Sequence, residues 1–306
     1  MCLISWIKIS GSVLFVIYVI LRRLGGRSVL FAGSGEPLLH PDFCDIVNET
    51  KYMGACTAVS TNGALFTRDK LEECLKSLSW IRYSTSAGTE ATYKKIHRGR
   101  DGDFARVISS IAAASEIKHR DNLSVVLNVQ IIMIPENRHE VVTLAKIVKE
   151  AGADRFIVKS VGAMDKTQSE VGRDLTADFY SSALDIKEGL KALNDDKFVT
   201  VYRDTRVANT FRKKSYSECY AEPFHTMICA DGGVCPCCDL QGREEFYFGN
   251  INSQSFSEIW TGERRKQVME MIKASGMAPC PGACKLDPMN QYLDELLHPG
   301  EHVDFI

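Results

Sequence analysis

The sequence carries no surplus of charge of either sign. Its 37 Lys plus Arg stand against 39 Asp plus Glu, so no global field draws it to nucleic acid or to an acidic surface. No internal repeat or low-complexity segment is present, which argues against an array of repeated units or a disordered tail. Nor is there an uninterrupted apolar run of the ~20 residues that a membrane-spanning helix needs. The nearest approach, Gly11 to Leu21, is shorter, follows Lys8 and ends at Arg22 and Arg23. A cleavable signal would place its basic residues before the apolar core and a small-residue cleavage site after it. The strand expected at Ser28 would leave almost no tether between a bilayer and a domain. Residues 1–27 therefore read as an atypical apolar N-terminal segment, a buried helix or a disrupted terminus. A membrane anchor through residues 11–21 is the alternative. The remaining length suits one large domain and a small second one, and 45% apolar content is ordinary for a globule.

What the chain has in plenty is cysteine near its carboxyl end. Seven of its eleven cysteines fall between Cys219 and Cys284. Disulfides are one reading, but they belong to oxidising compartments and to small domains that cannot bury enough core. An odd number of cysteines without a regular framework points instead to reduced thiols and the cytoplasm. Zinc would announce itself with two short C-x-x-C or C-x-x-H knuckles. Here the local groups are Cys235-x-Cys237-Cys238 and Cys280-x-x-x-Cys284, with Cys219 well upstream. Four thiolates gathered from separate loops also suit a 4Fe-4S cluster, whose irons need one cysteine each. The spacing leaves zinc and iron-sulfur both open. Cys229 and Cys235 read as strand residues, and Cys44, Cys56 and Cys74 as core.

The surrounding residues describe a loop-built unit. Asp231-Gly232-Gly233 between Thr226–Ala230 and Val234–Cys235 predicts a hairpin whose second strand delivers Cys237 and Cys238. Pro236 and Pro279 stiffen the backbone before candidate ligands, and Gly282 allows close wrapping inside the last pair. Gly249-Asn250 breaks the chain. Ser255 then caps a helix with Phe256, Ile259 and Trp260 on one face.

From Ser28 to Leu193 strand and helix alternate. Strands are expected at Ser28–Ala32, Cys56–Ser60, Trp80–Ser84, Leu123–Ile134 and Arg155–Lys159. Helices are expected at Pro41–Gly54, Arg68–Leu78, Phe104–Lys118, His139–Ala151 and Thr176–Leu193, with Gly152 as a C-cap. This α/β order argues for a parallel sheet, open or closed into a barrel, with its chemistry at the carboxyl ends of the strands. After the first strand, Gly33-Ser34-Gly35 permits close backbone approach and Glu36 supplies a carboxylate for an ammonium group. After the second, Asn62 offers donor and acceptor, though Asn-Gly is also a good turn. After the third, Ser84 and Ser86 can bond a ribose or their own loop. Arg203, Arg206, Arg212, Lys213 and Lys214 form a basic stretch that reads as a solvated helix face, with an anion contact as the alternative.

Two of these regions resemble one family. The order Cys219, ADGGVCPCC, FGNI, SFSEIW, Cys280-x-x-x-Cys284 is similar to the SPASM extension of radical S-adenosylmethionine (AdoMet) enzymes, which holds an auxiliary 4Fe-4S cluster. The strand ends GSGE, STNG and RYSTSAGTEATYKKIHRG, with Ile132–Asn137, resemble the AdoMet-facing edge of that family's barrel. The resemblance covers Ser28 to Leu286. It implies a partial parallel β/α barrel at residues 28–200 and a small cysteine-rich SPASM-like domain at 201–306. By the same resemblance AdoMet is held by Gly33, Ser34, Gly35, Glu36, Asn62, Ser84, Ser86 and Ile134. The auxiliary cluster takes Cys219, Cys237, Cys280 and Cys284, with Cys238 as the alternative to Cys237. The family cleaves AdoMet reductively and abstracts hydrogen from a peptide or small-molecule substrate, drawing electrons from a donor such as flavodoxin or ferredoxin.

Two departures stand out. The family often has Asp at or near the position of Ala87. Its Cys-x-x-x-Cys-x-x-Cys triplet, whose thiolates leave one iron open to chelate AdoMet, occurs nowhere in this sequence. An upstream start lost from the sequence, a disrupted frame over residues 1–23, or loss of catalysis would each account for that. No catalytic residue is therefore assigned. A non-catalytic module that keeps an iron-sulfur or zinc site for a partner is the second reading.

Overall fold

The computed structural model describes residues 2–4, 25–33, 35–160, 183–203, 214–280 and 284–301, and of residues 2–4 the backbone alone. The expected alternation is present. Strands β2 (Ser28–Phe31), β3 (Cys56–Thr61), β4 (Trp80–Ser84), β5 (Val126–Met133), β6 (Arg155–Ser160) and β7 (Val199–Arg203) pair parallel in chain order. Between them run α1 (Phe43–Tyr52), α2 (Arg68–Cys74), α3 (Glu90–His97), α4 (Asp103–Arg120), α5 (Val141–Glu150) and α6 (Leu184–Lys191). In α1 the buried residues Phe43, Ile46, Val47 and Thr50 fall at the i, i+3, i+4, i+7 spacing that makes one stripe of a helix face the sheet. Gly152, with φ +84°, ends α5 as expected. The first seven residues of the expected Thr176–Leu193 helix lie outside the described residues, and the rest contains α6.

Several elements differ from the sequence reading. Strand β1 (Cys2–Ile4) lies inside the sheet, parallel to β2 on one side and β8 (Thr226–Ile228) on the other. Residues 2–4 of the N-terminal segment thus pair within the sheet, while residues 5–24 lie outside the described residues. Three apolar residues are too few to show an alternation, so nothing set this strand off from the run that follows. Strand β7 ends at Arg203, which therefore closes a strand instead of lying on a solvated helix. Helix α3 was not expected, because only Tyr93 of its eight residues is buried and its apolar stripe is too thin to show.

With β9 (Gly233–Cys235) and β10 (Gly249–Asn250), the described sheet has ten strands in the order β10-β9-β8-β1-β2-β3-β4-β5-β6-β7. The hairpin β8 and β9 (Gly233–Cys235) is antiparallel, as expected. Gly249–Asn250 does more than break the chain, since it is β10, paired with β9. Ser255 caps α7 (Phe256–Thr261) in a capping box with Glu258. Helices α8 (Glu263–Ala274) and α9 (Asp287–Leu297) follow. Among the described residues, no helix is long and apolar enough to cross a membrane; residues 11–21 lie outside them.

Side-chain alternation gives the sheet two unlike faces. Val29, Phe31, Val59, Ile81, Tyr83, Leu127, Val129, Phe156 and Val158 join residues of the helices in the main core. On the other face Leu30, Ala32, Ala58, Met227, Cys229 and Cys235 form a small cluster with no α-helical member. That second face is the barrel interior. Cys44 and Cys74 are core residues, as expected, but Cys56 is exposed. It opens β3, where the strand has not yet entered the packed layer.

Candidate functional site

The ends of β2 and β3 meet through one carboxylate. Gly33 takes φ +147°, a conformation open to glycine, and turns the chain out of β2. Ser34 lies outside the described residues. Glu36 caps the short 3-10 turn Pro37–Leu39 and accepts from Leu38 N at Oε1 (3.1 Å). Thr61 Oγ1 donates to the same oxygen (2.5 Å), and Asn62 N donates to Oε2 (2.7 Å). A carboxylate has about four acceptor positions, so one on Oε2 stays open to a further N–H. Asn62 Oδ1 accepts from Ala64 N (3.0 Å), so its side chain serves the turn first. Gly63 is required beside it: its φ is +82°, and a Cβ there would stand 2.6 Å from Tyr83.

At the ends of β4 and β5 the organiser is Asn137, which is fully buried. Its Nδ2 donates to the carbonyls of Ser86 and Ile132 (2.9 Å each), and its Oδ1 accepts from Ile134 N (2.8 Å). Ser86 N donates to His97 Nε2 (2.8 Å), and Ile132 N donates to Ser86 Oγ (3.3 Å). His97 is therefore neutral with its proton on Nδ1, and burial pulls its pKa down to about 4. Tyr93 stacks on it with ring centroids 4.3 Å apart. Ser84 stands at the end of β4 with no hydrogen bond from its hydroxyl among the described residues. Ile134 is buried with its N–H committed to Asn137, whereas Ile132 presents its side chain to the interior. The buried Ala87 precedes Gly88, whose N–H donates to Glu140 (2.7 Å).

The cysteines assemble at the other end of the chain. Cys237 is buried just past β9, while Cys219, Cys280 and Cys284 are half-buried. Each thiol lies within electrostatic reach of another. Burial raises Cys280, and the charge of Cys219 raises it further. Burial lifts Cys284 to about 11, with Asp239 and Cys280 adding to it. Cys237 is pushed up to about 12 by burial, with Asp239, Cys238 and Cys284 contributing. Cys219 is raised by burial as well. Thiols that resist ionisation on their own suit a cationic iron-sulfur core, which supplies the charge that favours the thiolate, although among the described residues no three of these groups already stand at metal-holding distance. Cys238 instead packs against the interior cluster of Cys229 and Cys235, whose sulfurs are 3.7 Å apart.

The supports of these thiols were not evident from the sequence. Asn290, wholly buried on α9, donates to Cys219 Sγ (3.8 Å) and accepts from Ala221 N (2.8 Å). Leu286 N donates to Cys284 Sγ (3.4 Å). Lys214 Nζ donates to the carbonyl of Cys280 (3.5 Å), so at least this part of the basic stretch serves the cysteine site. Behind Cys219, Arg265 makes a two-pronged ion pair with buried Glu222 (2.7 and 2.8 Å). Its guanidinium also stacks on Trp260 of α7, 3.8 Å from the ring centroid. Only the spacing of Asp287 and Asn290 on a helix just after Cys284 could have hinted at any of this.

Comparison with known proteins gives this geometry a family. Residues 16–148 match the model of the radical SAM superfamily, and residues 219–285 match that of SPASM, an iron-sulfur cluster-binding domain. The first match begins inside the apolar run. A tungsten-containing aldehyde ferredoxin oxidoreductase cofactor-modifying protein of Pyrococcus furiosus is 25% identical over 260 residues, covering 78% of this chain and 68% of the relative. An AdoMet-dependent heme synthase of Methanosarcina barkeri is 25% identical over 250 residues, covering 77% and 68%. The crystal structure of Streptococcus suis SuiB bound to S-adenosylmethionine superposes with a TM-score of 0.66 over 94% of this chain and 73% of that one, at 12% identity, a likeness of fold. A 4Fe-4S cluster and AdoMet are the cofactors such domains take. The chain thus carries a radical SAM barrel followed by a SPASM iron-sulfur domain, and it belongs to the radical SAM/SPASM proteins.

Proposed function

We propose that this chain is a radical AdoMet/SPASM protein acting on a peptide or small-molecule substrate, and that the chain as it stands does not itself cleave AdoMet. When bound, the cofactors of this family supply reductive cleavage of AdoMet and abstraction of a substrate hydrogen. Glu36, held between Thr61 and Asn62, would take one N–H of the methionyl ammonium. Ser84 and Ser86, at the end of β4, would meet the ribose, and the Asn137 turn would fix the β5 end beneath an adenine. Cys219, Cys237, Cys280 and Cys284 would hold the auxiliary cluster, with electrons from a donor such as flavodoxin or ferredoxin. The match of residues 219–285, which contain all four cysteines, to an iron-sulfur cluster-binding domain is the observation that carries this reading.

Anaerobic reconstitution with iron and sulfide, followed by iron and sulfide analysis and assay for 5′-deoxyadenosine, tests it. One cluster per chain, AdoMet binding and no 5′-deoxyadenosine are expected. Nucleoside release would refute the catalytic half, because the sequence has no triplet of thiolates to leave an iron open. A chain that purifies with zinc and ignores AdoMet would favour the interaction module.

A further inference from the structure

The register of the barrel strands sorts their charges. Ser60, Arg82, Asn128 and Arg155 stand side by side across β3 to β6. Two residues further along the strands come Ser84, Gln130, Ile157 and Val201, and two further still Ile132, Lys159 and Arg203. These rows share the interior face with Leu30 and Ala58, because strand side chains alternate with a period of two. All the cations of β2 to β7, namely Arg82, Arg155, Lys159 and Arg203, lie on this face. None of these strands contains an Asp or Glu.

Arg82 is at the centre of the set. Its Nε and one Nη donate to a single acceptor, Ser60 Oγ (3.1 and 2.9 Å), and its guanidinium stands 5.8 Å from the ring centroid of Trp80. A guanidinium has five N–H donors. Among the described residues no carboxylate pairs with it, although a half-buried cation without a counter-charge is costly. Burial, and then the charge of Arg203, disfavours its protonated form. Arg203 is thus near enough for its charge to act on Arg82, and no described carboxylate pairs with the guanidinium. Beside Arg82, Gln130 is 7% exposed and makes no side-chain hydrogen bond among the described residues. Its amide is not among the buried groups closed off without a partner, so it keeps access to the interior space, where a ligand or water can pair with it.

We propose that the barrel interior binds an oxyanion, a carboxylate or phosphate carried by the substrate, through the fork of Arg82 with Gln130 beside it and Arg203 at the end of β7. A planar guanidinium offers two parallel N–H groups to either anion. Arg82 precedes Ser84 by two residues on the same face, about 7 Å deeper along the strand. An anion held there leaves the rest of the substrate pointing toward the strand ends. The word substrate rests on the function proposed above; anion binding itself does not.

Trp80 reports on the site. Titration of the full chain with succinate and, separately, with inorganic phosphate is expected to give a saturable change in tryptophan emission with at least one of them. Which anion acts identifies the source. Trp80→Phe should abolish the signal, Arg82→Gln should weaken binding at least tenfold, and Arg82→Lys, which keeps charge but not the fork, should fall between. Should Arg82→Gln fail to fold by circular dichroism, Gln130→Leu decides: several-fold weaker binding supports the site. The site is overturned if neither anion changes the emission, or if the folded variant binds as tightly as the parent chain. Equilibrium dialysis of AdoMet on the same preparations separates the two readings. Anion binding without AdoMet binding sinks the function but keeps the site; the reverse sinks the site.

Discussion

The two ends of this molecule arrange their candidate binding groups in opposite ways. At the strand ends the polar groups satisfy one another before anything binds: Glu36 spans β2 and β3, and Asn137 locks Ser86, Ile132 and Ile134. At the cysteine end the candidate thiols come from separate segments, and burial raises their pKa values. The first site is built from parallel-strand register and is complete without its ligand. The second is a set of protonated thiols propped by Asn290 and Lys214, and its closure depends on what binds there.

That contrast can be broken most directly at the thiols. Cys219→Ala or Cys284→Ala should abolish the visible iron-sulfur absorbance after reconstitution while the barrel keeps its helical circular dichroism. Loss of both together would show that the two ends are not independent. Next in size is Arg265→Ala, which strands Glu222 in a buried place. A loss of about 3–5 kcal/mol is expected in chemical denaturation, and Glu222→Leu in the same chain should restore most of it.

The barrel end carries a pH signature. Burial depresses His97 from 6.5 to about 4, so below pH 6.5 the unfolded chain binds a proton that the folded chain refuses. Stability should be full above 6.5, fall as the pH drops toward 4, and level off below it, by at most about 3 kcal/mol. His97→Gln should flatten that slope in denaturation measured across the same range. The smallest effect is expected from Asn290→Ala, which orphans Ala221 N and removes a donor to Cys219. About 1–2 kcal/mol of stability should go, and reconstituted iron should be lost sooner to a chelator.

The parallel strand-helix order and the hairpin before Cys237 were legible because turn residues and apolar stripes mark them locally. So was the Ser255 cap. What stayed hidden depends on distant partners. Strand β7, five residues ending in Arg203, has no residue that is fully buried and is recognisable only beside β6. Arg82, Gln130 and Arg203 belong to separate strands, and only pairing sets them on one wall. Asn137 and Asn290 look like ordinary turn and helix residues until the carbonyls and the sulfur they serve are brought to them.

Strand β1 is seated between β2 and β8, so its partners lie far apart in the chain. During synthesis its first edge can pair as soon as β2 leaves the ribosome, but the second waits until Thr226–Ile228 has been made. For that interval the nascent barrel presents an open row of N–H and C=O groups, the kind of edge that recruits strands from other chains. Long-range closure of this sort is also slow. Yield of the recombinant chain should therefore depend on how quickly its carboxyl-terminal third is delivered, as well as on the stability of the finished fold.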